Sequence, residues 1–189
     1  MAIFLHGTSD ENAHNMIKSN RLGKNHKTIW TCSNPNLLYM YNADDEDAIQ
    51  LSVESGQIAA AYMNSKSTRI AVISLDIPDN IVNELVNPDC SCENTNGCFQ
   101  INYKDLNNYI KSNIIKAQIN YYDNTYIPYL RPFYLSYLNS RYMTISDPLL
   151  KIAIKMLKDN DIFIEDILYP PGEKSSICYD LNKHAYVTP

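Results

Sequence analysis

The residues Phe4-Leu5-His6-Gly7-Thr8-Ser9 form the stretch best suited to holding a ligand. The apolar start predicts a short strand that presents His6 at its end, where an imidazole can contact a bound molecule. Gly7 has no Cβ, so a ligand can approach the backbone closely at a predicted turn. Ser9 is a favourable N-cap for a helix that begins with Asp10-Glu11. The stretch therefore predicts a strand, a turn and a helix arranged around a binding site.

A carboxylate pair, Glu165-Asp166, interrupts an apolar run late in the chain. A charge in such a run must be exposed, ion-paired or functional, because an unpaired charge is costly to bury. Side chains alternate along a strand, so only one of the two carboxylates faces a given cleft. The pattern leaves two interpretations open, namely a functional carboxylate and a solvated strand end.

The cysteines Cys90, Cys92 and Cys98 form a C-x-C-x5-C cluster in a polar segment. Cys32, Cys178 or a histidine could complete a zinc site, but the spacing differs from the paired C-x2-C arrangement. Five cysteines, an odd number, argue against a complete disulfide framework. We therefore expect a surface loop with incidental thiols and no metal, with zinc as the alternative.

The composition of the 189-residue chain, 45% hydrophobic and 20% charged, predicts one folded domain over residues 1–189. A net charge of -5 provides no general attraction to nucleic acid or to an anionic membrane, so such a partner would need a local basic patch. The sequence shows neither a signal peptide nor a membrane span, so we expect a cytoplasmic protein without a membrane partner.

Hydrophobic periodicity predicts the elements that position these residues. The first half has a β-α-β-α-β order, with strands at 3–5, 28–33 and 69–77, a helix at 9–20 and a second helix that follows the acidic stretch 44–47 and ends at Met63. Residues 103–157 are mostly helical in pattern and are divided by Pro128, Pro132 and Pro148. Strands follow at 162–169 and 176–181.

Taken in order, these features resemble the ADP-ribosyltransferase superfamily. The shared features are a His-Gly-Thr strand end, a helix, a short aromatic strand ending in Thr or Ser, an Ala-rich helix with a tyrosine, a long apolar strand and a late strand bearing a glutamate. The chain is most similar to the His-Tyr-Glu branch, which includes diphtheria toxin and the poly(ADP-ribose) polymerases. The resemblance covers residues 3–77 well and 161–181 more loosely. It implies an α+β fold in which two small packed β-sheets surround an NAD cleft, with flanking helices and a helical middle insertion.

The resemblance also implies roles for residues near the N-terminus. His6 would hydrogen-bond the adenosine ribose of NAD, and the Gly7 backbone would hold the nicotinamide carboxamide. Thr8 would contribute contacts near the adenosine half. Tyr62, in Ala60-Ala61-Tyr62, would be the helical member of an aromatic pair around the nicotinamide ring.

The second member of the aromatic pair is where the chain departs from the family. The strand at 28–33 offers Trp30 in place of a tyrosine, and an indole can also stack on a cationic ring. Tyr39 or Tyr41, in the insertion that follows, is the alternative. Ser33 either hydrogen-bonds within the site or ends its strand.

For the catalytic carboxylate, the resemblance places Glu165 on the late strand, with Glu173 as the main alternative and Asp166 after it. Departure of nicotinamide leaves an oxocarbenium-like ribose that a carboxylate can stabilise. The implied function is mono-ADP-ribosyl transfer from NAD to a protein or nucleic acid, as in a bacterial toxin, effector or defence protein with an antitoxin or immunity partner. An NAD glycohydrolase and a non-catalytic NAD-binding or protein-interaction module are the alternatives.

Overall fold

The computed structural model describes residues 1–23, 36–63, 65–88, 98–123, 155, 158–159 and 173–188. The described part of the chain contains strands and helices, and its neighbouring strands are antiparallel, which makes the protein α+β. The strands are β1 (Ala2–Ser9), β2 (Leu37–Asn42), β3 (Arg69–Ile77), β4 (Asn87–Pro88), β5 (Cys98–Asn102), β6 (Lys116–Asp123), β7 (Glu173–Asp180) and β8 (Ala185–Val187). The helices are α1 (Asp10–Ser19), α2 (Ala48–Met63), α3 (Asp79–Leu85) and α4 (Tyr103–Lys111).

The described strands form one sheet in the order β4-β5-β2-β1-β3-β6-β7-β8, with antiparallel neighbours. This differs from the predicted pair of small sheets. The reason lies in β1, which pairs with β3 along its whole length but with β2 only at Phe4 and Leu5. The sheet therefore consists of two groups of strands that a two-residue ladder joins. The outermost strands, β4 and β8, are two and three residues long.

Helices cover both faces of β1. On one face, Phe4 shares a core with Ala13 and Met16 of α1 and with Leu106 of α4. On the other face, Gly7 lies directly against the backbone of α2. The central strands are therefore buried from both sides, which explains why β3 is an almost continuous apolar run.

The boundaries of α1 confirm the predicted capping. The Ser9 side chain accepts a hydrogen bond from the Asn12 N–H at 3.2 Å, as an N-cap should. Asn20 ends the helix in the left-handed region, with φ 51. Asp10 and Glu11 occupy the first turn, where carboxylates interact favourably with the helix dipole.

Two predicted elements were wrong. Gly7 does not lie in a turn, because β1 continues to Ser9 with Gly7 opposite Val72. The helical pattern predicted through Ile114 and Ala117 ends at Lys111, and Lys116–Asp123 is a strand. Ile114 and Ala117 have helical spacing only by coincidence, since residues 116–119 alternate between exposed and buried with period two.

Of the other predicted strands, two are confirmed and two lie outside the described residues. The strand at Arg69–Ile77 is confirmed over its full length, and the late returning strand is confirmed as Glu173–Asp180. The second described strand is Leu37–Asn42. The strands predicted at 28–33 and 162–169, and most of the helical pattern after residue 123, lie outside the described residues. Within the described part, no helix combines the length and apolar character needed to cross a membrane.

Alkaline pH is expected to weaken the fold through buried tyrosines. Burial raises the pKa of Tyr103 and Tyr121 above the usual value of about 10, although the Arg69 cation partly opposes the increase at Tyr121. The folded protein therefore keeps protons that the unfolded chain releases, so stability is intact below about pH 10 and falls as the pH rises through it. Urea unfolding between pH 8 and 11 should show this decline, and a Tyr103→Phe, Tyr121→Phe double variant should flatten it. An equal decline in both proteins would contradict the prediction.

Candidate functional site

The candidate site lies where β1 and β2 stop pairing. Their ladder ends at Leu5 opposite Tyr41, and the half-buried His6 follows immediately. The His6 Nδ1 lies 2.6 Å from the Tyr39 carbonyl oxygen of β2. A carbonyl oxygen only accepts hydrogen bonds, so Nδ1 is the donor. In the neutral ring, Nε2 is then an acceptor, and this atom is buried.

Gly7 is required by the packing of α2 against β1. A Cβ at this position would lie 1.5 Å from the Ser52 carbonyl oxygen and 2.8 Å from the Gly56 nitrogen. The space beside the Gly7 Cα is therefore filled by helix backbone. The sequence predicted that the missing Cβ lets a ligand approach the backbone closely. In the structure it lets α2 approach instead.

Thr8 and Ser9 join the end of β1 to the two flanking helices. Thr8 is fully buried, and its Oγ1 accepts a hydrogen bond from the Asn12 side chain at 3.2 Å. The Ser9 hydroxyl donates to the Met63 sulfur at 3.2 Å in addition to capping α1. The side chain of Thr8 is thus engaged within the protein, next to His6.

β2 brings two tyrosines to the face of the sheet that α2 covers. Leu5 and Tyr41 are paired, so Tyr41 shares the face of Leu5 and Gly7, and Tyr39 follows by alternation. The Tyr41 hydroxyl lies 3.3 Å from the Ser55 hydroxyl of α2. Tyr62 is in the last turn of the same helix, about 10 Å further along its axis. Tyr41 and the helical segment that carries Tyr62 therefore lie on one side of the sheet.

Acidic residues at the start of α1 hold the connection between α2 and β3 in place. Asp10 accepts from the Ser67 hydroxyl at 2.7 Å and from Arg69 Nε at 3.0 Å. Glu11 accepts from the Ser65 hydroxyl at 2.5 Å. Burial lowers the pKa of Arg69, but the hydrogen bond and charge of Asp10 outweigh that effect and raise it overall. These contacts fix the polypeptide that follows Tyr62.

Several predicted site residues lie outside the described residues, namely Trp30, Ser33, Glu165 and Asp166. Glu173, the alternative carboxylate, is the first residue of β7, and its backbone pairs with Asp123 of β6. Of the cysteine cluster, Cys98 is buried at the start of β5, whereas Cys90 and Cys92 lie outside the described residues. No group of three or more potential metal ligands occurs in the described ranges.

The structure brings the His6 ring against the backbone carbonyl of Tyr39. By alternation His6 shares the face of Phe4, whereas the side chains of Tyr39 and Tyr41 lie on the face covered by α2, the helix that carries Tyr62. Sequence reasoning missed Ser52 and Ser55, which contact Gly7 and Tyr41 from α2. The signal was present, because Ser52, Ser55 and Gly56 place three small residues at helical spacing in α2. Comparison of the chain with models of protein families, with curated proteins and with solved structures found no match.

Proposed function

We propose that the protein is a mono-ADP-ribosyltransferase that uses NAD as substrate and transfers ADP-ribose to a macromolecule. The observation that carries the proposal is the position of His6. It lies where β1 leaves β2, and the Tyr39 carbonyl orients its ring. The resemblance of the sequence to the His-Tyr-Glu enzymes assigns the same residue to NAD.

In this proposal His6 binds and orients NAD and takes no part in proton transfer. The resemblance assigns the imidazole of His6 a hydrogen bond to the adenosine ribose, and the Tyr39 carbonyl at Nδ1 fixes the ring. A fixed ring loses little freedom when it binds a ligand, so its hydrogen bond contributes more to affinity. His6 thereby holds the far half of NAD while the reacting bond is positioned elsewhere.

The nicotinamide half binds between aromatic residues in this proposal. Tyr62 is the helical member of the pair, and α2 is held on the sheet by contacts at Gly7 and Ser9. Tyr39 and Tyr41 are the candidates from β2, on the side of the sheet that α2 covers. Trp30 is the candidate from the sequence resemblance alone.

The reaction breaks the bond between the ribose C1′ and the nicotinamide nitrogen. The bonding electron pair leaves with nicotinamide, which becomes neutral, and the ribose gains oxocarbenium character. Glu165 stabilises that positive charge through the ribose hydroxyls. A nucleophilic atom of the acceptor then bonds to C1′ and releases its proton.

The proposal is tested with NAD carrying separate labels in its adenylate and nicotinamide parts, incubated with the protein and a cell lysate. We expect release of nicotinamide together with adenylate label on protein or nucleic acid. Release of nicotinamide with only free ADP-ribose would replace the proposal with an NAD glycohydrolase. Intact NAD after prolonged incubation would exclude both enzymes.

Replacement of His6 by alanine is expected to raise the KM for NAD about 5-fold while changing kcat little, because one hydrogen bond contributes about 1 kcal/mol to binding. His14→Ala on the exposed side of α1 is the matched control and should leave both constants unchanged. Melting curves of both variants identify any loss of folded protein. An unchanged KM in folded His6→Ala protein would remove His6 from the NAD site.

A further inference from the structure

A cavity of about 750 Å³ lies between the end of α1, the helix α4 and the turn that joins β7 to β8. Buried Leu22, Ile110 and Leu181 line it together with a ring of polar and basic residues. Its volume is typical of sites that bind a ligand. His6, Gly7 and the β2 tyrosines are not among its lining residues. We name this cavity the α4 groove.

The α4 groove is basic although the chain is acidic. Exposed Arg21, Lys104 and Lys111 line it, and none of the described lining residues is Asp or Glu. The salt bridges found among the described residues do not include these three cations. A local positive surface on a protein of net charge -5 is the basic patch that a polyanion would need.

The cations of α4 are arranged in a row. Lys104, Asn108 and Lys111 follow one another at helical spacing, so they share one face of the helix. The two lysines are about 10 Å apart along the helix axis. This length exceeds the spacing between neighbouring phosphates of one strand, which is about 3.4 Å along a duplex axis and longer in an extended single strand. The row can therefore contact more than one phosphate of the same strand.

Side-chain amides hold the walls of the α4 groove in position. Asn107 accepts from the Leu22 N–H at 2.8 Å and donates to the Leu22 carbonyl at 3.0 Å, which attaches α4 to the end of α1. Asn182 donates to the Ile110 and Ile115 carbonyls at 3.1 and 2.9 Å. At the rim, Asn20 Nδ2 donates to His184 Nε2 at 3.3 Å. The groove is thus formed before any ligand binds.

We propose that the α4 groove binds the phosphates of a single nucleic acid strand. Arg21, Lys104 and Lys111 contact successive phosphates, and Asn108 donates a hydrogen bond to the same backbone. The one aromatic ring among the described lining residues, the His184 imidazole, lies at the rim and accepts a hydrogen bond from Asn20, whereas three cations line the groove. Repeated phosphate contacts therefore favour a strand over a free nucleotide. This inference does not depend on the proposed activity with NAD.

The test measures fluorescence anisotropy of a labelled 12-nucleotide single-stranded RNA and its DNA counterpart, without NAD. Three phosphate contacts predict that affinity falls about 20-fold between 50 and 200 mM salt. The variant Arg21→Ala, Lys104→Ala, Lys111→Ala should lose at least 10-fold in affinity and most of this salt dependence. Lys66→Ala, Lys116→Ala, Lys174→Ala removes the same charge at exposed positions away from the groove and should stay within 3-fold of wild type.

Each other outcome overturns the proposal. Equal losses of affinity in the two triple variants would show that binding depends on the net charge of the protein and not on the α4 groove. If neither oligonucleotide bound at 50 mM salt, nucleic acid strands would be excluded as ligands of the α4 groove. Displacement of the strand by ATP at an equal nucleotide concentration would indicate a site for free nucleotides. Melting curves confirm that both variants are folded before binding is compared.

Discussion

Replacement of Gly7 by alanine is expected to destabilise the protein by about 3 kcal/mol or more, at the upper end of the usual cost of overpacking. The added methyl group would lie 1.5 Å from the Ser52 carbonyl oxygen and 2.6 Å from the Ser52 carbonyl carbon. Both atoms belong to the backbone of α2, so no side-chain rotation can relieve the overlap. The helix must move away from β1, and the contacts at Tyr41 and Ser9 must loosen with it.

Gly56→Ala is the matched control because it places the same methyl group at the same interface. Its Cβ would lie 3.1 Å from both the Ile70 Cδ1 and the Thr8 carbonyl oxygen, and the Ile70 side chain can shift slightly. Alanine also gains about 1 kcal/mol over glycine inside a helix. We expect Gly56→Ala to remain within about 1 kcal/mol of wild type in urea unfolding. Similar unfolding midpoints for the two variants would contradict the packing described for Gly7.

Replacement of Glu165 by glutamine is expected to lower kcat for nicotinamide release at least 100-fold, a typical loss when one electrostatic contact to a transition state is removed. Glutamine keeps the size of the side chain but cannot provide the negative charge that stabilises the oxocarbenium-like ribose. The binding residues remain, so affinity for NAD should change little. Initial rates with NAD and an independent binding measurement separate the two effects.

Glu173→Gln is the comparison that decides between the two candidate carboxylates. We expect it to retain kcat within about 3-fold of wild type, since this change leaves the charge at Glu165. A large loss in Glu173→Gln with full activity in Glu165→Gln would transfer the catalytic role to Glu173. Full activity in both variants would show that neither glutamate performs this chemistry.

Local patterns in the sequence were enough to predict some elements. The strand Arg69–Ile77 is a mostly apolar run between polar residues and a proline, and α1 has its cap and acidic first turn within four residues. Each signal depends on neighbours along the chain, so it does not require knowledge of the fold. His6 was predicted as a site residue in the same way, as a polar residue after an apolar run, and its role stays a prediction.

Features that depend on distant parts of the chain were not predictable in this way. The need for Gly7 arises from Ser52, and the orientation of His6 arises from Tyr39. Both depend on strand register and helix packing, which involve residues far apart in the sequence and cannot be read from a short segment. The α4 groove was missed for the same reason, because Arg21 and Lys104 are far apart in sequence and meet only in the folded protein.

The short outer strands of the sheet have a consequence for association between copies of the protein. An exposed edge strand offers unpaired N–H and C=O groups to which another chain can add a strand. Here β4 and β8 are two and three residues long, and Pro88 in β4 has no N–H to offer. The long strands β1 and β3 are both interior to the sheet. The strands β4 and β8 themselves therefore present little template for edge-to-edge aggregation.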